Sequence, residues 1–402
     1  MDWTQRVAVL ADQLSAAGKL SSPAWRAALC AVPRHELVPR IYLQDENRRW
    51  CPAKADTEAW WELVYSDTTL ITSVLTSSQG LPWPVSSSTK PGLLVRMLDA
   101  LEVDDGMRVL EIGTGSGYNA AVLCARLGAQ QVYSVDLRPE LIELARDRLA
   151  RLGHRPTLVA RDGVEGLAEH GPFDRIIVTC GMPFIPTAWI TQLAPGGLLL
   201  VDLEGPLSAG NLIALRRDMT LSRNGAAPRL RGQFLPWLGR FMPMRRDPTA
   251  ADYHLPAPER DPTAPVDSGL TRVDPTQLDG EFRFLAQLHL PSGTFHTLTA
   301  SAEQPQPTHT RLVSPDGSWC EAAREPGADG QHTVRQAGTQ RLWHTVEAAH
   351  RQWHELGEPE WSRFGVTVTP TEQHVWLDDP NHTPHRWPLW TPDHPAAGCE
   401  PK

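Results

Sequence analysis

Apolar residues near the start of the chain recur at helical spacing, with Trp3, Val7, Leu10, Leu14 and Ala17 on one face. Ser22-Pro23 then reads as an N-cap followed by proline at the first helical position, so the chain opens on a small helical region. From residue 108 to about residue 203 the pattern changes to short aliphatic runs alternating with amphipathic stretches. Strands are expected over residues 108–111, 131–135, 157–160, 175–179 and 197–203, and helices over 118–127 and 140–152, the latter preceded by Pro139. Strand and helix alternation of this kind builds βαβ units and a parallel, doubly wound sheet.

After Gly205 the alternation is lost. Pro248, Pro256, Pro258, Pro262, Pro265 and Pro275 crowd residues 246–278, a spacing that neither long helices nor central strands accept. This stretch reads as an extended connector. Beyond it, strands are expected over 281–290, 308–313, 331–336, 365–369 and 374–377, with one helix over 341–356. The chain therefore divides into an N-terminal helical region with a substrate loop (1–90), an α/β core (91–225), a proline-rich connector (226–280) and a β-rich α+β domain (281–402).

Composition agrees with two domains, because 402 residues exceed the roughly 100–200 of an average one. The 41% hydrophobic and 21% charged content belongs to a globular chain rather than a disordered one. With 38 Lys+Arg against 47 Asp+Glu the net charge is −9, which argues against nucleic acid as a partner. Six cysteines include no CxxC pair, so neither a zinc ribbon nor a redox dithiol is signalled. His350 and His354 stand at i, i+4 without an evident third ligand, and no metal is expected. The N-terminus carries Asp2 and Asp12 and lacks a basic segment followed by an apolar run, and no window approaches about 18 uninterrupted apolar residues. A soluble, cytoplasmic protein without membrane contact is the expectation.

The most informative segment is Val109-Leu110-Glu111-Ile112-Gly113-Thr114-Gly115-Ser116-Gly117-Tyr118. A hydrophobic strand ends near an acid, turns on three alternating glycines and enters a helix, at the strand end where open α/β sheets bind ligands. Three readings compete: a bare turn, a dinucleotide loop, and the E/D-x-G-x-G-x-G loop of class I methyltransferases that bind S-adenosyl-L-methionine. A bare turn gives no reason for three glycines. The dinucleotide motif G-x-G-x-x-G needs its last glycine where Tyr118 stands. Downstream spacing fits the third reading, with Asp136 ending the second strand and able to take ribose hydroxyls, and Asp162 following the third, where an adenine amine would lie.

Further segments extend this to a resemblance with the protein-L-isoaspartate O-methyltransferase family. Val32-Pro33-Arg34-His35-Glu36-Leu37-Val38-Pro39 resembles its VPRxxFVP segment, Tyr65-Ser66-Asp67 its AYxD stretch, and Val85-Ser86-Ser87-Ser88-Thr89-Lys90-Pro91 falls where the family has its TISxP substrate loop. Arg161-Asp162-Gly163, residues 172–179 and Gln192-Leu193-Ala194-Pro195-Gly196-Gly197 continue the pattern over residues 1–205. The departures are Thr89 in place of the family's serine and Asp136 in place of its usual glutamate. The extra C-terminal half resembles the methyltransferases of ATP-grasp peptide maturase (graspetide) systems, through Phe241-Met242-Pro243-Met244-Arg245, residues 363–368 and Val375-Trp376-Leu377-Asp378.

The resemblance implies a class I, Rossmann-like carboxyl O-methyltransferase that uses S-adenosyl-L-methionine, leaves S-adenosyl-L-homocysteine and needs no metal. Its cofactor residues here are Glu111, Gly113, Thr114, Gly115, Ser116, Gly117, Asp136, Leu137, Asp162 and Gly163. Ser88 and Thr89 take the catalytic positions, Tyr65 and Asp67 substrate-positioning ones, and Arg34 and His35 are read as structural. The narrower resemblance implies, as partner, an acidic precursor peptide already crosslinked by an ATP-grasp ligase, whose methylated aspartate closes to an aspartimide. The C-terminal domain would recognise that peptide, aided by Arg240, Arg245 and Arg246. General repair of isoaspartyl proteins is the alternative, and a cofactor-binding protein without turnover is a third reading.

Overall fold

Helix formation at the N-terminus follows from capping. In the computed structural model, which describes residues 1–47, 49–77, 80, 82–207, 210–219, 227–249, 263–300 and 306–389, Asp2 and Gln5 form a reciprocal capping box at the start of α1 (Trp3–Ala16). Ser22 caps α2 (Pro23–Ala31), and the short α3 (Arg34–Leu37) and α4 (Glu58–Val64) follow. β1 (Tyr42–Gln44), β2 (Trp50–Pro52), β3 (Leu70–Thr76) and β4 (Pro82–Ser88) make an antiparallel sheet in the order β2-β1-β3-β4. α5 (Pro91–Ala100) leads from it into the core.

The doubly wound part follows in chain order: β5 (Val109–Ile112), α6 (Tyr118–Leu127), β6 (Val132–Asp136), α7 (Pro139–Arg151), β7 (Thr157–Ala160), β8 (Phe173–Met182), α8 (Thr187–Gln192) and β9 (Leu193–Leu203). These five strands are parallel, in the spatial order β9-β8-β5-β6-β7. The order reverses beside β5, which opens a crevice at the carboxyl ends of β5, β6 and β8. Successive residues face opposite layers. Ile177 and Leu200 pack with the N-terminal helices, α5, α6 and α7, whereas Ile176, Val178, Leu199 and Val201 pack on the other side with the C-terminal elements.

The sheet does not stop at β9. β10 (Asn211–Arg217) and β11 (Leu230–Leu238) extend it antiparallel, and after β12 (Asp267–Thr271), α9 (Phe282–His289), β13 (Phe295–Thr299), β14 (His309–Val313), β15 (Trp319–Ala323), β16 (His332–Ala337) and α10 (Leu342–Glu355) the chain returns as β17 (Phe364–Val368), β18 (Gln373–Leu377) and β19 (Arg386–Pro388). β17 pairs with β11, so ten strands run continuously as β19-β18-β17-β11-β10-β9-β8-β5-β6-β7. Among the described strands after β9, only β12–β16 form a sheet apart from this one, in the order β12-β16-β15-β14-β13.

Three expectations change here. The supposed connector contains β11, a central strand, with Pro236 beyond the residues that pair with β17. Of its clustered prolines, Pro256, Pro258 and Pro262 lie outside the described residues. Residues 364–388 are not part of a separate domain, because β17 is buried along its whole length inside the main sheet. Residues 281–290, read as a strand, hold helix α9, whose Phe282, Leu285 and Ala286 follow a helical face that short-range alternation with Phe284 disguised.

Candidate active site

β5 delivers the chain into Gly113, Gly115 and Gly117, whose φ values of 101°, 51° and 85° require glycine or strain. A Cβ on Gly113 would also lie 2.6 Å from Thr179 Oγ1, which donates to Gly113 O at 2.8 Å. The loop's amides are spoken for. Gly113 and Thr114 donate to Val135 O at 2.8 and 3.2 Å, Gly115 to Asp136 Oδ2 at 2.9 Å, and Gly117 to Thr114 O at 2.9 Å. A pyrophosphate is held by free backbone N–H groups, and four of this loop's are already committed, which excludes the dinucleotide reading. An adenosine cofactor without phosphates fits the loop.

Asp136 is the reciprocal half of that arrangement. Its Oδ1 accepts Arg138 N–H at 3.1 Å and its Oδ2 the Gly115 amide, leaving a lone pair on each oxygen for ribose hydroxyls. Burial raises its pKa above the ordinary value in spite of these bonds. Beneath the loop Glu111 is fully buried, accepting from Asn119 Nδ2 at 2.7 Å and Ser134 Oγ at 2.5 Å, and Ser134 also bonds Thr114 Oγ1 at 2.6 Å. Burial pushes the Glu111 pKa up to about 7 against those two donors, with Asp136 adding to the rise.

Gly163 closes the crevice on the β7 side, where a Cβ would meet Ile112 Cγ2 at 2.6 Å. Asp162 beside it caps Val164 N at 3.0 Å and pairs with Arg246 Nε at 3.1 Å. The opposite wall is β4 with Thr89, and Thr72 Oγ1 donates to Ser86 Oγ at 3.1 Å. A third wall is a strap, residues 239–245. The fully buried Asp202 at the end of β9 accepts Phe241 N–H at 2.9 Å and the Arg240 amide, while Gly181 N–H reaches Met242 O and Met244 N–H reaches Gly181 O, each at 2.9 Å. The Arg245 guanidinium donates to Val85 O and so joins strap to β4. Burial lifts the Asp202 pKa to about 6.

Of the residues singled out in the sequence, Ser88, Thr89, Glu111, Gly113, Thr114, Gly115, Ser116, Asp136, Leu137 and Gly163 line one cavity. Gly117 sits behind it, its hydrogen side facing Ala145. Tyr65 and Asp67 are elsewhere. Tyr65 is buried, bonding His35 Nδ1 through its hydroxyl at 2.7 Å and stacking on Trp61, and Asp67 pairs with Lys19 at 2.7 Å and takes the Gly92 amide at the start of α5 at 2.7 Å. Their work is to fix the N-terminal lobe. Sequence reasoning missed Ser86, Arg138, Thr179 and the placement of the strap. Its one signal was Asp202, an acid within the aliphatic run Leu198-Leu199-Leu200-Val201-Asp202-Leu203. Among the described residues no group of three or more His, Cys, Asp or Glu is placed to hold a metal ion, and no helix is long and apolar enough to cross a membrane.

A parallel sheet with this glycine loop, an acid at the end of the next strand and committed loop amides defines a class I S-adenosyl-L-methionine-dependent methyltransferase. The family model for Protein-L-isoaspartate(D-aspartate) O-methyltransferase (PCMT) matches residues 54–219. A protein-L-isoaspartate O-methyltransferase of Methanococcoides burtonii is 37% identical over 155 residues, covering 38% of this chain and 74% of that one. Protein-L-isoaspartate O-methyltransferase 2 of Pelobacter propionicus is 37% identical over 218 residues, covering 53% and 82%. The chain belongs to the protein-L-isoaspartate O-methyltransferase family, and is thereby an S-adenosyl-L-methionine-dependent protein carboxyl O-methyltransferase. A solved structure titled protein-L-isoaspartate O-methyltransferase shares the fold, with a TM-score of 0.52 at 21% identity over 92% of this chain and 99% of that one. The likeness thus runs on past the family match into the C-terminal part.

Proposed function

We propose that the chain esterifies the free carboxylate of an isoaspartyl residue in a polypeptide, as the names of its relatives suggest. The observation that carries this reading is the approach of β4 to the cofactor loop, where a Cβ on Gly115 would stand 3.6 Å from both Ser86 Oγ and Ser87 O. Hydroxyl-bearing residues thereby face the cofactor loop across the cavity. When bound, S-adenosyl-L-methionine supplies a sulfonium methyl that a carboxylate oxygen takes by displacement, the C–S electron pair leaving with sulfur and no proton changing hands. Asp136 and the glycine loop would hold its ribose, and Leu137, Leu141 and Met244 offer apolar surface to the adenine.

The acceptor is ionised near pH 7, so the site needs no general base and has only to orient and desolvate it. Ser88 and Thr89 suit this, because neutral hydroxyls position a carboxylate without the strong ground-state stabilisation of a direct ion pair. The strap and β4, joined through Arg245, wall the cavity on two sides and would limit the water that reaches the reacting atoms.

A second reading, maturation of an acidic peptide crosslinked by an ATP-grasp ligase with closure to an aspartimide, is favoured by Arg240, exposed on the cavity lining beside a C-terminal region the family model does not match. Arg246 is less available, being paired with Asp162. Assaying methyl transfer to an isoaspartyl peptide and to a crosslinked acidic precursor, with mass spectrometry for the added methyl and later loss of methanol, separates the two. Turnover of unrelated isoaspartyl peptides supports repair, and turnover confined to the crosslinked precursor overturns it.

A further inference from the structure

The largest unexplained charge in the site's vicinity is Arg34, which is 1% exposed and has no ion-pair partner among the described residues. Its Nη1 donates to Val64 O at 3.0 Å and Ser66 O at 3.2 Å, and its Nη2 to Thr68 O at 3.2 Å, Thr89 O at 3.1 Å and Ser88 Oγ at 3.3 Å. Its centre lies 5.2 Å over the ring of Tyr118, which with Ser88 and Thr89 lines the cavity. The one carboxylate that acts on it, Asp67, forms its ion pair with Lys19 at 2.7 Å instead. Keeping a guanidinium dry without a carboxylate is costly, and carbonyls recover only part of that cost. A purely mechanical clamp between α3 and the loop would be cheaper with a compensating acid.

The geometry points to Arg34 as a positioning residue for the acceptor carboxylate, acting through Ser88 and Thr89. By donating to Ser88 Oγ it takes one of that oxygen's two lone pairs, and no acceptor among the described residues takes the Ser88 proton, which is left to be donated into the cavity. By gripping Thr89 O it fixes the backbone at the same place. Its unpaired positive charge beneath the floor favours an anionic acceptor over a neutral one, and the carboxylate that enters becomes the missing counter-charge, held at one remove. Direct pairing would stabilise the ionised acceptor more strongly and oppose its loss of charge during transfer.

The inference rests on the placement of the acceptor at Ser88 and Thr89. The test uses the full chain with the isoaspartyl peptide or the crosslinked precursor, whichever turns over. Arg34→Gln removes the charge and keeps some hydrogen bonding, and Arg34→Lys keeps the charge and loses the fork. The expected result is a KM raised about tenfold or more by Arg34→Gln with a smaller change in kcat, a large part of it restored in Arg34→Lys, and S-adenosyl-L-homocysteine affinity within about twofold of wild type in both. Equal loss in both variants, or a KM left unchanged by Arg34→Gln, overturns the role. Ser88→Ala without any effect on KM instead removes the acceptor's placement, so the two failures are distinguishable. Should neither Arg34 variant fold, competition by a carboxylate peptide and its carboxamide decides: wild type should prefer the carboxylate by about tenfold or more and Ser88→Ala should lose most of that preference, whereas equal binding of the two by wild type, or an undiminished preference in Ser88→Ala, overturns the inference.

Discussion

At the scale of single residues, two buried acids set a pH dependence with a definite sign. Burial raises Glu111 from an ordinary 4.5 to about 7 and Asp202 from 3.8 to about 6. As pH rises through that window the unfolded chain releases these protons while the folded chain keeps them, so the contribution to stability falls with rising pH and levels off above about 7. Glu111→Gln keeps an oxygen for Asn119 and offers Ser134 an amide proton, so it should be at least as stable as wild type at high pH. The difference in melting temperature between the two should shrink as the pH is lowered toward 5, and a difference independent of pH would contradict the assignment. Asp136, whose pKa burial also raises, is tested through the ligand. Removing its carboxylate frees the Gly115 amide and takes away the proposed ribose acceptor, so Asp136→Ala should weaken S-adenosyl-L-homocysteine by on the order of 10–100-fold in calorimetry.

Between elements, the strap is the joint on which the site depends. Asp202 holds it from β9 through the Phe241 and Arg240 amides, at a place where Gly239 and Gly210 leave no space for a side chain: a Cβ on either would lie 2.5 and 2.9 Å from the carboxylate. Asp202→Ala should speed hydrogen exchange of the Phe241 amide and release S-adenosyl-L-homocysteine faster, by about tenfold, while the β5 and β6 amides keep their protection. Unchanged exchange there would mean that the contacts to Gly181 alone carry the strap. This joint also shows where reading the sequence stops. The glycine loop was legible because positive φ leaves a local mark, and Asp136 because successive parallel strands place their ends in register. Asp202 and Phe241 are 39 residues apart, and nothing local at either announces the other. Tyr65 and Asp67 show the complementary limit, since matching a motif located them in the lobe without saying that Lys19, Gly92 and His35 engage their polar atoms.

For the whole molecule, the question is whether the C-terminal part is an attachment or a structural necessity. Main-chain pairing from Leu230↔Val368 to Gln233↔Gly365 makes β17 the neighbour of β11, and Phe284 bridges them, with ring centroids 4.8 Å from Phe234 and 4.9 Å from Phe364. α9 and α10 add Phe282, Leu285, Trp343 and Val346 to the same core that holds Ile176, Val178, Leu199 and Val201 of the parallel sheet. Each large side chain buried there contributes about 1.5–3 kcal/mol, so losing several approaches the roughly 5–15 kcal/mol by which a folded domain exceeds its unfolded state. A chain ending at Thr249 keeps every cavity-lining residue, yet leaves β11 an open edge beside an uncovered apolar face. Such a chain should aggregate, or at best give a soluble fraction without cooperative melting or S-adenosyl-L-homocysteine binding, in expression and size-exclusion trials. A monomeric fragment that melts cooperatively and binds the cofactor product would show instead that the C-terminal part is detachable, and would return the separate domain that proline spacing first suggested.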